Sequence, residues 1–449
     1  MIQTENAADA AVSSAAPARN YAWYVLFLLT FAYTVAFIDR QVLNLLVEDV
    51  KADLLLTDTQ LSLLQGLAFM GSYIAFSPLF GRWADVGNRR NILIAGIATW
   101  SVFSAACGLA ENYWQLFLAR AAVGAAEACL APAAWSLIAD YFNRERLPRA
   151  MSIFLMGPYI GGGLAMIAGG MVIGSMSGLI EAMPLLAGMQ PWQLTFVVIG
   201  TPGVALALVL LTIREPARGV HSSGSRDRSF SLREVMSFLW QGRAFYVRFY
   251  LGMALIVIVL YALPAWIPAF LMRAHAADPT TVGLQYGVLV LLMGSAGVLS
   301  GPVVDRWLAR RGHTDSPIRT AAIASIALTI FSAALPFMPG FYGALAAAAG
   351  GTFFYSLPQA MSAAALQLAT PNRMRGIVAS LYLFVLSVIG LGAAPTVVAL
   401  VTDRVFADAS KVGVSLAVVC ASSAAGAALL LFSSLPHYRR ALEQSREVA

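Results

Sequence analysis

The chain is 449 residues long, 59% hydrophobic and only 12% charged, with a formal net charge of +6. A soluble domain usually carries about a quarter charged residues, so there are too few polar side chains here to cover soluble globules of this total length. That excludes an ordinary cytosolic protein, a disordered chain and a fibrous repeat, and it points to a polytopic membrane protein.

Residues 1–20 are polar and rich in Ala and Ser. They lack a basic region and a cleavage pattern around an apolar core, so a short disordered tail is expected there, not a signal peptide. Twelve segments follow that are long and apolar enough to span a bilayer: 21–47, 59–81, 91–110, 113–139, 149–178, 191–213, 246–272, 281–304, 319–338, 340–369, 376–402 and 412–436. A span needs about 20 residues. Pro and Gly inside several of them are tolerated because neighbouring helices satisfy the freed backbone groups. The three cysteines, Cys107, Cys129 and Cys420, fall in apolar stretches and read as small buried hydrophobes.

The longest polar break, 214–245, divides the spans six and six. The expected fold is therefore an all-α polytopic membrane protein of twelve transmembrane helices in two six-helix halves, 21–213 and 246–436, with a tail at 437–449. The break holds a basic stretch, HSSGSRDRS (221–229), and an amphipathic run, SLREVMSFLW (231–240), opened by Ser231 and Glu234 at capping-box spacing. It reads either as a surface helix on an anionic leaflet or as a plain basic linker.

The 29 basic residues supply the topology signal. With the N-terminus inside, inside segments hold 23 of them and outside loops hold four: Lys51, Arg273, Arg404 and Lys411. Arg40 and Arg120 lie within spans. The asymmetry puts both termini in the cytoplasm of a cell membrane, the inner membrane in a Gram-negative cell.

Four ionisable residues lie well inside spans: Asp39 and Arg40 on the first, Arg120 and Glu127 on the fourth. A charge at the bilayer centre costs at least about 2.5–3.5 kcal/mol, so each is retained for a partner, a pathway or both. Arg120 and Glu127 are seven apart, nearly two turns, and share a helix face. Asp39 and Arg40 diverge by about 100° and cannot both face the pore axis. A Glu–Arg pair across the two helices is expected, either as functional machinery or as part of a salt-bridge cluster that locks the first six helices. All four histidines lie in loops or the tail, so proton coupling falls to Asp39 and Glu127. Arg40 and Arg120 are candidate anion-binding residues. Tyr261, Tyr355, Gln359 and Tyr382 are the polar candidates for the opposite wall.

Only two lysines exist and neither sits in a phosphate-binding loop, and no HExxH occurs. Neither an ATPase nor a zincin is supported, no cofactor or metal is expected, and an enzyme is not indicated. A secondary transporter is the leading class.

GRWADVGNRR (81–90), after the second span, resembles the cytoplasmic Gly-x-x-x-Asp-x-x-x-Arg-Arg turn of the major facilitator superfamily through Gly81, Asp85, Arg89 and Arg90. GPVVDRWLARR (301–311), after the eighth, is a shifted second copy with Asp305 and Arg306. FIDRQVLNLL (37–46), TDTQLSLLQGLAF (57–69) and RAAVGAAEACLAPAAWSLIADYF (120–142) are similar to the spinster-like transporters of that superfamily. The resemblance implies gating by the two turns and alternating access. It also implies transport of a lysophospholipid- or sphingoid-phosphate-like anion, with proton coupling, in a bacterial-looking member. MGPYIGGGLAMIAGG (156–170) resembles an antiporter motif, although its glycines equally fit close helix packing. A transporter of small organic anions or drugs, and a non-transporting membrane receptor on the same scaffold, are the alternatives. A monomer is expected, with substrate, protons and membrane lipids as partners and no nucleic acid.

Overall fold

A computed structural model describes residues 19–142, 146–183, 186, 188–216, 232–371 and 374–447. Among these the regular structure is helical, without strands. Eleven continuous helical runs are long and apolar enough to cross a membrane. They are α1 (Asn20–Leu45), α2 (Asp58–Ala84), α3 (Arg89–Cys107), α4 (Tyr113–Tyr141), α5 (Gly157–Met176), α6 (Pro191–Thr212), α7 (Arg243–His275), α8 (Pro279–Arg310), α9 (Ser316–Phe337), α11 (Ile377–Phe406) and α12 (Ala409–Glu443). The expected span 340–369 is α10, two helices, Gly340–Ser356 and Gln359–Ala369, broken at Leu357–Pro358. Pro358 has no N–H with which to continue the first ladder. The fold is thus an all-α polytopic membrane architecture.

Local chemistry sets the helix ends. At the start of α2 the Gln60 backbone N–H donates to Thr57 Oγ1 (3.1 Å), and the Thr57 N–H donates to Gln60 Oε1 (3.0 Å), a complete capping box. Asn112 opens α4 by accepting from the Gln115 N–H (3.0 Å), and Asp278 opens α8 by accepting from the Thr281 N–H (2.9 Å). Ala276, in the left-handed region at φ 49°, ends α7. Residues 149–154, expected as the start of the fifth span, belong to a separate short helix, Leu147–Phe154. The amphipathic run is helical over Leu232–Gln241, whereas Ser231 and 221–229 lie outside the described residues, as do 1–18.

Between apolar helices in lipid, attraction comes from close packing, which small residues permit. Gly161 shows this for α1 and α5: a Cβ there would stand 2.5 Å from the Thr34 carbonyl oxygen. Gly170 and Gly283 do the same for α5 and α8, since a Cβ on either would come within about 3 Å of the other's Cα. The glycine-rich stretch of α5 therefore has a packing reason independent of any motif.

Candidate functional site

The four membrane charges meet where α4 packs against the last third of α1. Asp39 and Arg40 point in different directions, as adjacent helical residues must. Arg40 turns to α4, with Nε and Nη2 each 2.7 Å from Glu127 Oε2. Glu127 is fully buried and its Oε1 has no hydrogen-bond partner. Asp39 turns to α3, where its Oδ1 accepts from Ser104 Oγ (3.0 Å) and its Oδ2 is left without a partner. Arg120 does not pair with either carboxylate. Its Nη1 donates to the Asp39 carbonyl (3.1 Å) and its Nη2 to the Arg40 carbonyl (3.5 Å), leaving Nε unpartnered. The four charges are therefore one ion pair, one hydroxyl-held carboxylate and one guanidinium bound to backbone.

Aromatic rings surround the Arg40 guanidinium. Its carbon lies 4.7 Å from the Phe37 centroid, 4.4 Å from Phe69 and 5.1 Å from Tyr73. Cation–π attraction strengthens when such a charge is desolvated. Arg40, Gln41, Asn44, Gln65, Arg120 and Tyr261 line a cavity of about 30 Å³. That is room for about two waters, while ligand sites run to hundreds of Å³. A substrate requires the helices to part. Gln65 spans the cavity, its Nε2 donating to Asn44 Oδ1 (3.0 Å) and to the Ala265 carbonyl of α7 (3.3 Å).

Of the four second-wall candidates, only Tyr261 lines this cavity. Tyr355 is buried, Gln359 donates to the Tyr355 carbonyl (3.1 Å), and Tyr382 packs on Phe249 and Tyr250 with ring centroids 5.5 and 5.3 Å away. In this conformation those three do not line the cavity: the two tyrosine rings lie between helices, and Gln359 bonds within its own chain segment.

One end of the bundle is tied across the first six and last six helices. Arg273, at the end of α7, donates from Nε to Glu48 Oε1 (2.7 Å), from Nη1 to Asp58 Oδ2 (2.6 Å) and from Nη2 to Asp58 Oδ1 (2.8 Å). Lys51 Nζ adds a bond to Asp58 Oδ1 at 2.5 Å. The Thr59 N–H and Oγ1 both donate to Asp403 Oδ2, at 2.7 and 2.6 Å. Sequence reading did not single these residues out as a site. A signal was present, though, since two of the four bases assigned to outside loops are the ones that hold Asp58.

The other end carries the expected gating residues. Arg89 is buried, donating from Nη1 to Asp140 Oδ2 (2.5 Å) and Ser136 Oγ (2.8 Å), and from Nε to Glu215 Oε1 (2.7 Å). The Arg90 N–H donates to Glu215 Oε2 (3.0 Å). These bonds join α3, α4 and the end of α6, all within the first six helices. Gly81 faces open space and the Asp85 side chain lies outside the described residues. In the second turn, Asp305 Oδ1 is buried without a partner and Arg306 Nε donates to the Pro302 carbonyl of its own helix (3.2 Å).

Residues 29–395 match the Major Facilitator Superfamily, so the chain belongs to that family. It is a multi-pass membrane protein of that superfamily, similar to spinster proteins. Protein spinster homolog 1 of Rattus norvegicus is 29% identical over 324 residues, covering 68% of this chain and 58% of that protein. The match thus spans a little over half the length of the curated spinster relative. An MFS-type efflux pump of Mycolicibacterium smegmatis is 26% identical over 440 residues, 95% of each chain. Among solved structures, a bacterial homolog to the human lysosomal transporter spinster, in an inward-facing and unoccupied conformation, superimposes with a TM-score of 0.77 at 24% identity. It covers 96% of this chain and 99% of that one. The nucleoside transporter NupG superimposes with a TM-score of 0.70 at 12% identity, over 92% of this chain and 99% of that one. These likenesses establish the fold.

Proposed function

We propose that this transporter moves an amphiphilic anion, lysophospholipid- or sphingoid-phosphate-like, by alternating access coupled to protons. The Arg40–Glu127 pair carries the reading. A guanidinium held by a buried carboxylate among aromatic rings is an anion site closed by its own counter-ion. When a proton adds to the Glu127 carboxylate, the pair loses its charge attraction and Arg40 is free to take a phosphate or carboxylate, which it can hold bidentately. Deprotonation restores the pair and releases the anion. Asp39, held by Ser104 on the far side of α1, is the coupled second carboxylate. Arg40 receives the headgroup, while Arg120 positions the α1 backbone beneath it. The ion-paired end carrying Asp58 and Arg273 faces outside and both termini face the cytoplasm, as the basic residues indicate. The gating turn at Gly81–Arg90 then closes the cytoplasmic side in the alternate state, with the Arg89 cluster rearranging. The protein works as a monomer.

The walls favour a tail. Arg40 sits among Phe37, Phe69 and Tyr73, and the last six helices offer only Tyr261, Leu391, Pro395 and similar groups at the cavity. Uptake into sealed proteoliposomes, with and without a proton gradient, tests the scheme. Glu127→Gln is expected to abolish gradient-driven transport while leaving a folded protein. Shortening the tail should weaken binding progressively, by up to about 0.8 kcal/mol per lost methylene. Full gradient-driven uptake by the variant refutes coupling through Glu127, and affinity independent of tail length refutes the lipid. The second reading, a small organic anion or drug, is favoured by the full-length likeness to an efflux pump.

A further inference from the structure

The surface helix Leu232–Gln241 and the first turns of α7 form an open groove of about 510 Å³, lined by Trp240, Arg243, Ala244, Val247 and Arg248. It lies far along the chain and the fold from the Arg40 site and takes no part in the scheme above. We infer that this groove is a binding site for one anionic phospholipid of the membrane leaflet, its phosphate on Arg243 and Arg248 and its acyl chain along the outer face of α7.

The surface helix is docked on one face and unpartnered on the other. Val235 and Leu239 are buried, and Phe238 packs on Tyr246 at a centroid distance of 5.6 Å. Met236 and Trp240, one turn apart, are instead 51% and 70% exposed, on the side away from the protein. An exposed Trp at the foot of a membrane span is an interfacial anchor. Its ring also carries the Arg243 guanidinium at 5.2 Å.

The groove has the polarity gradient of a phospholipid. Trp240 and the two arginines sit where α7 begins, which is where the apolar run begins. Four and eight residues on from Arg243, on the same helix face, come Val247 (52% exposed) and Leu251 (41% exposed). A molecule seated here meets charge first and then about two turns of bare aliphatic surface leading into the hydrocarbon. The groove's lining carries two positive charges and no negative one. Glu234, also on the surface helix, stands at its opposite end from Trp240. Arg440 of α12 adds positive charge nearby, since both it and Arg248 act on His437. The arginines are held in place yet retain free donors: Arg243 Nη1 donates to the Trp240 carbonyl (3.2 Å) and Arg248 Nη1 to the Ala244 carbonyl (2.6 Å). A soluble phosphate would use the charges and leave the aliphatic stripe bare, and a zwitterionic lipid would bring a choline against two guanidinium groups. An anionic phospholipid uses both. Which leaflet supplies it follows from the proposed orientation, namely the cytoplasmic one, but binding itself does not depend on that orientation or on transport.

Native mass spectrometry of the detergent-purified full chain tests this, with phosphatidylglycerol and phosphatidylcholine of equal chain length as probes. The wild-type protein should retain one phosphatidylglycerol in preference to phosphatidylcholine. Near a membrane surface each Arg is worth about 1 kcal/mol toward anionic lipid, so Arg243→Gln should lower the retained fraction about fivefold. Adding Arg248→Gln should erase the preference, and Trp240→Ala should reduce retention of both lipids. Arg243 is exposed, and its side chain bonds to the Trp240 carbonyl and lies over the Trp240 ring, so its single variant folds and reads the site even if the double variant does not. Equal retention of the two lipids by wild-type protein overturns the inference. So does an undiminished phosphatidylglycerol adduct in Arg243→Gln. Displacement of the lipid by inorganic phosphate at equal concentration would overturn it as well, since it would make the groove a soluble-anion site.

Discussion

Arg120 gives two of its donors to consecutive backbone carbonyls, those of Asp39 and Arg40, within a membrane helix. Such carbonyls already accept from the helix ladder, so the guanidinium adds a second bond to each and fixes how α1 presents its next two side chains. Arg40 itself is more accessible, with 14% of its side chain exposed, and answers to Glu127. Two arginines of equal charge therefore predict different losses. Lysine has no planar fork to reach two carbonyls at once. Arg120→Lys should cost stability, about 2 kcal/mol for charge-assisted bonds in a buried site, seen as a lower melting midpoint in detergent. Arg40→Lys should keep the midpoint and lower anion uptake at least tenfold, since about 1.4 kcal/mol of lost bidentate binding suffices. Equal melting midpoints for the two variants would contradict this division.

At this scale the sequence was readable where residues break a membrane rule. Asp39, Arg40, Arg120 and Glu127 stood out because charge in a span is costly. That Asp39 and Arg40 diverge followed from helix geometry, and the Arg40–Glu127 pair followed from the shared face on α4. Ser104 and Gln65 were not readable. Serine and glutamine occur in membrane helices for many reasons, and only the meeting of α1, α2, α3 and α7 gives these two a partner. Tyr355, Gln359 and Tyr382 lie away from the cavity in this conformation, because the side chain alone does not say which helix will cover it.

At the scale of elements, the helices were legible from apolar run length, and the departures have local causes. Pro358 splits α10, and a separate short helix, Leu147–Phe154, precedes the start of α5 at Gly157. The junction of α9 and α12 was not legible, since 124 residues separate Asp315 from Arg439. Asp315, just before α9, is buried and accepts from Arg319 Nε (2.9 Å) and from Arg439 Nη2 (2.6 Å) near the end of α12. Burial works against its charge, but the two guanidinium groups outweigh it and hold the carboxyl below the usual carboxylate range. The sign follows from linkage. A depressed folded-state value stabilises the fold above the unfolded value, about 3.9, and that contribution fades as pH falls through the lower folded value. Asp315→Asn should therefore lower stability at pH 7 by about 2 kcal/mol. It should also flatten the fall in melting midpoint between about pH 5 and pH 3 relative to wild-type protein. Parallel pH profiles for the two proteins would show that Asp315 does not hold the junction electrostatically.

For the whole molecule, the contacts that join the first six helices to the last six gather toward one end. Arg273 reaches Glu48 and Asp58, Thr59 reaches Asp403, and Gly170 meets Gly283. The ion pairs described at the other end, Arg89 with Asp140 and Glu215 and Asp315 with Arg319 and Arg439, each stay within one set of six. This conformation is thus fastened at the end proposed to face outside. The charge count foretold which loops share an end, because basic residues are sparse there. It did not foretell the fastening, which needs two loops about 215 residues apart to meet.

Alternating access requires that fastening to open, so its strength sets part of the balance between states. Arg273 is the centre of it, largely buried, with three charge-assisted bonds to two carboxylates. Asp58→Asn removes the charge that both Arg273 and Lys51 share and leaves Glu48 as the one charged partner of Arg273. If that weakens the closed end by about 1.4 kcal/mol, the ratio of open to closed at that end rises about tenfold. Spin labels on Glu111→Cys and Val405→Cys, both exposed at this end, would report the change, because Cys107, Cys129 and Cys420 are buried and resist labelling. The expected result is a longer distance component that grows in Asp58→Asn and in Arg273→Gln. High salt should enlarge it only slightly in the unmutated pair, since buried charges are poorly screened. A distance distribution that neither substitution alters would mean that helix packing at Gly170 and Gly283 holds this end closed by itself, with the ion pairs as passengers.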